Sequence, residues 1–203
     1  MALLLALAGC GESSPKPPEP STKPSGETSA EPSDKKGFGT VFDTERKIRA
    51  TLPQPESMAG WTPKNGRAHV EEQPDSPSEC GADTHWDCTA VGNGSANYEA
   101  AGETVIFSVD AFPDTKAAQA ACRKEESWSA KYTKKKVPPL SGVTSHAYYR
   151  NAGGLDGLDL TMCTGTVIAQ VRLEGEGSDL DPATSHTLAK TFLARIQKAA
   201  AAS

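Results

Sequence analysis

The side chains with the most chemistry in this chain are five cysteines, Cys10, Cys80, Cys88, Cys122 and Cys163, and four histidines, His69, His85, His146 and His186. With Cys10 set apart, the other four thiols form an even set, as expected of disulfides in an oxidising compartment. Cys80 and Cys88 bracket a short loop containing His85 and Trp86. A metal site there would recruit His85 with both thiols. Structural zinc, however, needs four ligands, and no Cys-x2-Cys or His-x3-His spacing occurs, so a local disulfide worth about 2.5 kcal/mol is the expectation. The histidines could in principle join a serine and a carboxylate in a hydrolase of the cell envelope, since triads are defined by geometry rather than by order. No Gly-x-Ser-x-Gly elbow and no His-Glu-x-x-His is present to support that chemistry. The expectation is no catalytic residue, no metal and no cofactor.

Cys10 has a different environment. It closes an almost wholly apolar run, Ala2 to Ala8, through Leu7-Ala8-Gly9-Cys10. This resembles the lipobox of bacterial lipoproteins, in which a signal peptidase cuts before a cysteine that has received diacylglycerol. The resemblance implies that Cys10 is the acylated mature N-terminus, with residues 1–10 as signal segment and two or three fatty acyl chains, at about 0.8 kcal/mol per buried CH2, holding the protein on the extracytoplasmic face of a cell membrane. A secretory signal usually has a basic n-region and a longer apolar stretch, and here nothing basic precedes the cysteine, so the true start is expected upstream. The run is too short to span a bilayer as a helix. Residues 11–37 are Pro, Ser, Glu, Lys and Thr without aromatic or large aliphatic side chains. Such a segment cannot bury enough apolar surface to offset its ordering entropy, and it reads as a disordered tether reaching roughly 80 Å.

Residues 38–203 must then hold the folded part, a single α+β domain. The chain is 36% hydrophobic, enough for one ordinary core, and its net charge of −5 argues against nucleic acid as partner. From Gly157 to Glu174, Leu158, Leu160 and Met162 alternate with polar residues, and after Thr164-Gly165 the pattern resumes with Val167, Ala169, Val171 and Leu173. That period of two predicts a hairpin with one buried face, around which the rest is organised. Asn93-Gly94 predicts another hairpin turn, and Ala101-Gly102 a further turn into a strand from Glu103 to Phe112. Arg67 to Gln73 and Val143 to Arg150 are further strand candidates, the latter placing His146, Tyr148 and Arg150 on one polar face. A first helix capped by Asp43 or Thr44 carries Ile48 and Leu52 and ends at Pro53, after which Gly60-Trp61 is expected to insert a ring into the core. A second, capped by Asp114 and running to about Tyr132, has Ala118, Ala121, Cys122, Trp128 and Tyr132 on its apolar side. A third begins at Asp181-Pro182 and carries Leu188, Phe192 and Ile196. The architecture expected is an antiparallel sheet, meander and hairpin, packed with about three helices.

Four cysteines allow three pairings, and these elements favour one of them. Cys80 with Cys88 and Cys122 with Cys163 is expected, because the second bond would join the second helix to the hairpin strand that it covers; its loop of about 40 residues is worth about 4 kcal/mol. The only basic cluster, Lys131 with Lys134, Lys135 and Lys136, follows this helix. It reads as solvated cations favoured by the negative end of the helix dipole, the other reading being a surface that touches anionic lipid or wall polymer.

The helix running into Leu52 through Gly60-Trp61, the strand into Phe112 followed by a helix with Cys122, the Cys163 hairpin and the closing amphipathic helix resemble a family. It comprises the actinobacterial extracytoplasmic domains similar to the sensor portion of the PknH receptor kinase, also found as free-standing lipoproteins. The resemblance covers about residues 42–199. It implies an antiparallel sheet packed with helices, two disulfides and a ligand-binding cleft. Coupling to a linked kinase is not implied, since residues 38–203 hold no kinase domain. The function expected is a non-catalytic, surface-tethered ligand-binding or sensor-like module whose ligand is unspecified, with His146, Tyr148 and Arg150 as candidate recognition face. The alternative is an accessory lipoprotein that binds a protein of an envelope complex.

Overall fold

Hydrophobic alternation and capping residues build a single antiparallel sheet with helices on both faces. The structure is a computed structural model describing residues 39–64, 69–72, 89–152, 155–175 and 180–203. Cys10, Cys80, Cys88, His85 and the tether from Gly11 to Gly37 lie outside the described residues. All described residues belong to one compact unit, Asp34–Ser203.

The helices are α1 (Glu45–Thr51), α2 (Thr115–Ser129) and α3 (Pro182–Ala201). The strands are β1 (Thr62–Pro63), β2 (His69–Glu72), β3 (Gly92–Ala100), β4 (Glu103–Ala111), β5 (Thr133–Lys135), β6 (Thr144–Ala152), β7 (Leu155–Thr164) and β8 (Val167–Gly175). They lie in the order β1-β3-β4-β8-β7-β6-β5, with β2 sharing the β3 edge. The fold is the expected α+β arrangement of meander and hairpin with three α-helices among the described residues.

The β7–β8 hairpin is central, as its pattern predicts. Leu160, Met162, Ala169, Val171 and Leu173 are fully buried. The strands are joined by Gly165 and Thr166, with Gly165 in the left-handed region at φ 56°. The β3–β4 turn uses two left-handed residues, Ala101 (φ 50°) and Gly102 (φ 87°), as a tight hairpin compatible with the right-handed strand twist requires. The hairpin turn expected at Asn93-Gly94 is not there. Both residues sit inside β3, opposite Asp110 and Val109 on one side and Glu71 and Val70 on the other. Pairing on two edges overrides the local turn preference of this dipeptide, and β3 runs straight through it.

One face of the sheet carries the main core. Phe192 of α3 meets Phe107 of β4 edge-on at 5.3 Å, and Phe107 in turn meets Tyr98 of β3 at 6.0 Å. The Tyr98 hydroxyl donates to the Pro53 carbonyl at 2.9 Å. Burial pushes this phenol above its usual pKa, and the charge of Glu56 adds to the effect. Asp181 caps α3 by accepting from the Ala183 and Thr184 amides, and Pro182 sits in the first turn. The bonds from Ala183 and the Thr184 hydroxyl hold the Asp181 carboxyl below the ordinary value. Thr44 caps α1, whose Ile48 is fully buried, while Trp61 is half-buried at the core margin rather than inserted in it. The segment entering the domain is clamped by the Thr40 hydroxyl donating to Ala200 of α3 at 3.2 Å, and by the Thr166 hydroxyl donating to the Thr40 carbonyl. Among the described residues, no helix is long and apolar enough to cross a membrane.

Candidate functional site

The second face of the sheet is where polar and reactive side chains collect, and α2 positions them. Asp114 starts this helix by accepting from the Ala117 amide at 2.7 Å. Ala118, Ala121, Cys122, Glu125 and Ser129 recur at helical spacing on the side facing the sheet, and all five are buried. Trp128, expected on that side, is 45% exposed, at the margin of the buried stripe and near the end of the helix. The helix also ends at Ser129 rather than near Tyr132, since Thr133–Lys135 leave it to pair with β6 as the edge strand β5.

Cys122 of α2 and Cys163 of β7 are disulfide-bonded, with their Cα atoms 6.1 Å apart. The bond lies against a small apolar cluster of Ala90, Phe112, Ala118, Ala121 and Ile168. One turn further along α2, Glu125 reaches His146 of β6, with Oε2 and Nε2 2.5 Å apart, in a site where both side chains are almost fully enclosed. The same carboxylate accepts from the Ser129 hydroxyl at 2.7 Å and from the Gln170 amide at 3.2 Å, and Gln170 also donates to Thr161 at 3.3 Å. His146 Nδ1 has no partner among the described residues. A buried carboxylate needs such donors to offset its lost hydration, so the network fastens α2 to the sheet. Ser129 donates to Glu125 rather than to His146, so the carboxylate stands between the hydroxyl and the imidazole.

The expected recognition face is therefore altered. His146, Tyr148 and Arg150 do share one face of β6, but His146 and Tyr148 are 5% exposed. His146 lies beneath α2, and Tyr148 carries Lys134 above its ring at 5.8 Å. A strand pattern reports which residues share a face and not whether a helix covers it. Arg150 belongs to a charge lattice at the uncovered end. It contacts Asp159 at 3.4 Å and, passing over Gly157, Glu174 at 3.6 Å, while Arg172 contacts Asp159 at 2.8 Å. With two cations and two anions in mutual contact, this group is internally compensated.

The other two described histidines lie on other elements than His146. His186 lies on α3, which packs on the opposite face, and His69 lies in β2, whose backbone pairs it with Ser95. No group of three metal-ligating side chains occurs among the described residues.

Beside the disulfide, a groove of about 260 Å3 opens between α2 and the β7–β8 turn. Its polar lining includes Gln119, Arg123 and Glu126 of α2 with Thr144 and Thr164. The Thr164 hydroxyl is buried and without a partner among the described residues, and Arg123 forms no ion pair among them. Sequence reading passed over Glu125, Gln119 and Arg123. The signal for Glu125 was its place seven residues after Ala118 on the buried stripe, where a charged residue implies a buried partner.

No family profile matches the chain. No curated protein matches it by sequence. Among solved structures, the chain is similar to the extracellular domain of PknH from Mycobacterium tuberculosis, with a TM-score of 0.52 at 12% identity, over 76% of this chain and 97% of that one. The likeness is one of fold.

Proposed function

We propose that this protein is an extracytoplasmic binding domain without catalytic activity, tethered to the membrane through Cys10. The observation that carries the reading is the fold shared with the extracellular domain of PknH, which nearly the whole of that domain matches. A disulfide between Cys122 and Cys163 supports an oxidising compartment. The groove beside that bond is the ligand site in this reading. It offers the Arg123 guanidinium and the buried Thr164 hydroxyl, neither of them paired among the described residues, and a carboxylate at Glu126, a set suited to a small polar molecule bearing an anionic group.

Two measurements test the proposal. Metabolic labelling with a fatty acid should mark the wild-type protein and not Cys10→Ala. A thermal-shift screen of small anionic envelope metabolites should find a ligand whose stabilisation is lost in Arg123→Ala and in Thr164→Val, with the unliganded melting temperature little changed in the former. A stoichiometric protein captured by crosslinking in intact cells, together with an empty screen, would replace this reading with that of an accessory lipoprotein.

A further inference from the structure

The chain is acidic overall, yet its charge is unevenly distributed. Residues 115–137, from α2 through β5, hold Lys116, Arg123, Lys124, Lys131, Lys134, Lys135 and Lys136 against only Glu125 and Glu126, in a protein with net charge −5. Glu125 is buried against His146, which leaves Glu126, 3.8 Å from Lys134, as the counter-ion here. At the end of α2 this basic segment also carries Trp128, the one exposed large hydrophobic side chain among the described residues. Its indole meets Tyr132 at 5.6 Å, and the Lys131 ammonium stands 4.0 Å above the indole ring.

β5 is the outermost strand on this side of the sheet. Its successive residues alternate faces, so Lys134 lies over Tyr148 and Lys135 over Tyr149 on the other side. The sheet margin is thereby straddled by ammonium groups, with an aromatic pair at one end. Lysines on an edge strand also discourage pairing with another chain, which would account for the cations alone. It would not account for an exposed indole beside them. Trp and Tyr rings with lysine stems are suited to the boundary of a bilayer, where the rings sit among headgroups and the ammonium reaches phosphate. A soluble polyanion without rings to stack, such as polyphosphate, would use the charges and gain nothing from the indole.

We infer that the sheet margin formed by Trp128, Lys131, Tyr132, Lys134 and Lys136 is a docking surface for an anionic lipid bilayer. This surface is independent of acylation, so its test is made on the full chain carrying Cys10→Ser, and failure there leaves the anchoring at Cys10 untouched. Sedimentation with vesicles of phosphatidylcholine, with and without about one third phosphatidylglycerol, should show at least about tenfold stronger partition into the anionic vesicles. The difference should collapse in about 0.5 M salt. The triple variant K131E/K134E/K136E should lose it, and Trp128→Ala should weaken binding and abolish the blue shift of tryptophan fluorescence on anionic vesicles. Equal partition into both vesicle types overturns the inference. So does triple-variant binding like the wild type, or polyphosphate competition with Trp128→Ala still binding vesicles normally. If the triple variant fails to fold, lipid composition and salt dependence of the Cys10→Ser chain decide.

Discussion

Glu125 of α2 and His146 of β6 meet beneath the helix, side chain to side chain at 2.5 Å, with 2% and 4% of their side-chain surfaces exposed. The carboxylate is held at the same time by Ser129 and Gln170. Removing the carboxylate strands the His146 imidazole and the Ser129 hydroxyl in a place water does not reach. Glu125→Ala is expected to lower stability by about 3 kcal/mol, read as a lower urea midpoint. The double replacement Glu125→Leu with His146→Phe should recover much of that loss, because the imidazole is no longer stranded and the Ser129 hydroxyl can turn to a backbone carbonyl of its own helix. A double variant as unstable as Glu125→Ala would mean that shape, and not pairing, matters at this contact.

Ala101 occupies the left-handed region at φ 50°, ahead of Gly102 at φ 87°. A Cβ in that conformation costs about 1–2 kcal/mol, which glycine avoids at the expense of greater freedom in the unfolded chain. Ala101→Gly is expected to raise stability by about 0.5 kcal/mol, with the denaturant dependence unchanged. Ala101→Val should lower it, since a branched side chain suffers more in this turn.

The Cys122–Cys163 bond closes a sequence separation of 41 residues. Restricting the unfolded chain over that span is worth about 4 kcal/mol in the loop-entropy account. The variant Cys122→Ala with Cys163→Ala should lose about that much, measured by denaturant unfolding against the oxidised parent. A loss below about 1 kcal/mol would show that the packing of Ala118, Ala121 and Ile168 holds α2 down without the crosslink.

Tyr98 ties β3 to the Pro53 carbonyl, and burial raises its phenol pKa. In the unfolded chain this group loses its proton near pH 10, whereas the folded protein retains it to higher pH. The stability it contributes is therefore complete below pH 10 and declines as pH rises through the folded value. Tyr98→Phe should cost about 1 kcal/mol at neutral pH and flatten the fall in melting temperature above pH 10. Asp181 behaves oppositely at the other end of the scale. Its carboxyl is lowered in the folded state, so its contribution is present above the ordinary aspartate range and vanishes as acid protonates it. Asp181→Ala should lower the melting temperature at pH 7 and shrink that deficit at pH 2.

Much of the architecture was legible where local chemistry and long-range packing agree. Asp181-Pro182 starts α3, the alternation of Leu158, Leu160 and Met162 faces the core, and Cys122 lies on the covered side of α2. Legibility failed where a distant partner outweighed a local preference. Asn93-Gly94 carries a turn signal, but strands on both sides hold it extended. Thr133 to Lys135 resembles a solvated helix end, yet β6 recruits it as an edge. Of the candidate site, the face shared by His146, Tyr148 and Arg150 was readable from alternation. Its covering was not, because it depends on Glu125, Ser129 and Gln170 converging from two other elements.

The meeting of β4 with β8 is the seam on which assembly of the sheet depends. β3 with β4, and β6 with β7 and β8, can each zip up from neighbouring turns, whereas Ala111 and Val167 must find each other across the stretch that makes α2, β5, β6 and β7. Closing so long a loop is slow compared with forming a hairpin. The two ribbons should therefore form early and join late. Because Cys122 and Cys163 both lie within the intervening stretch, an oxidant that links them first shortens the diffusive search and should hasten the final zipping.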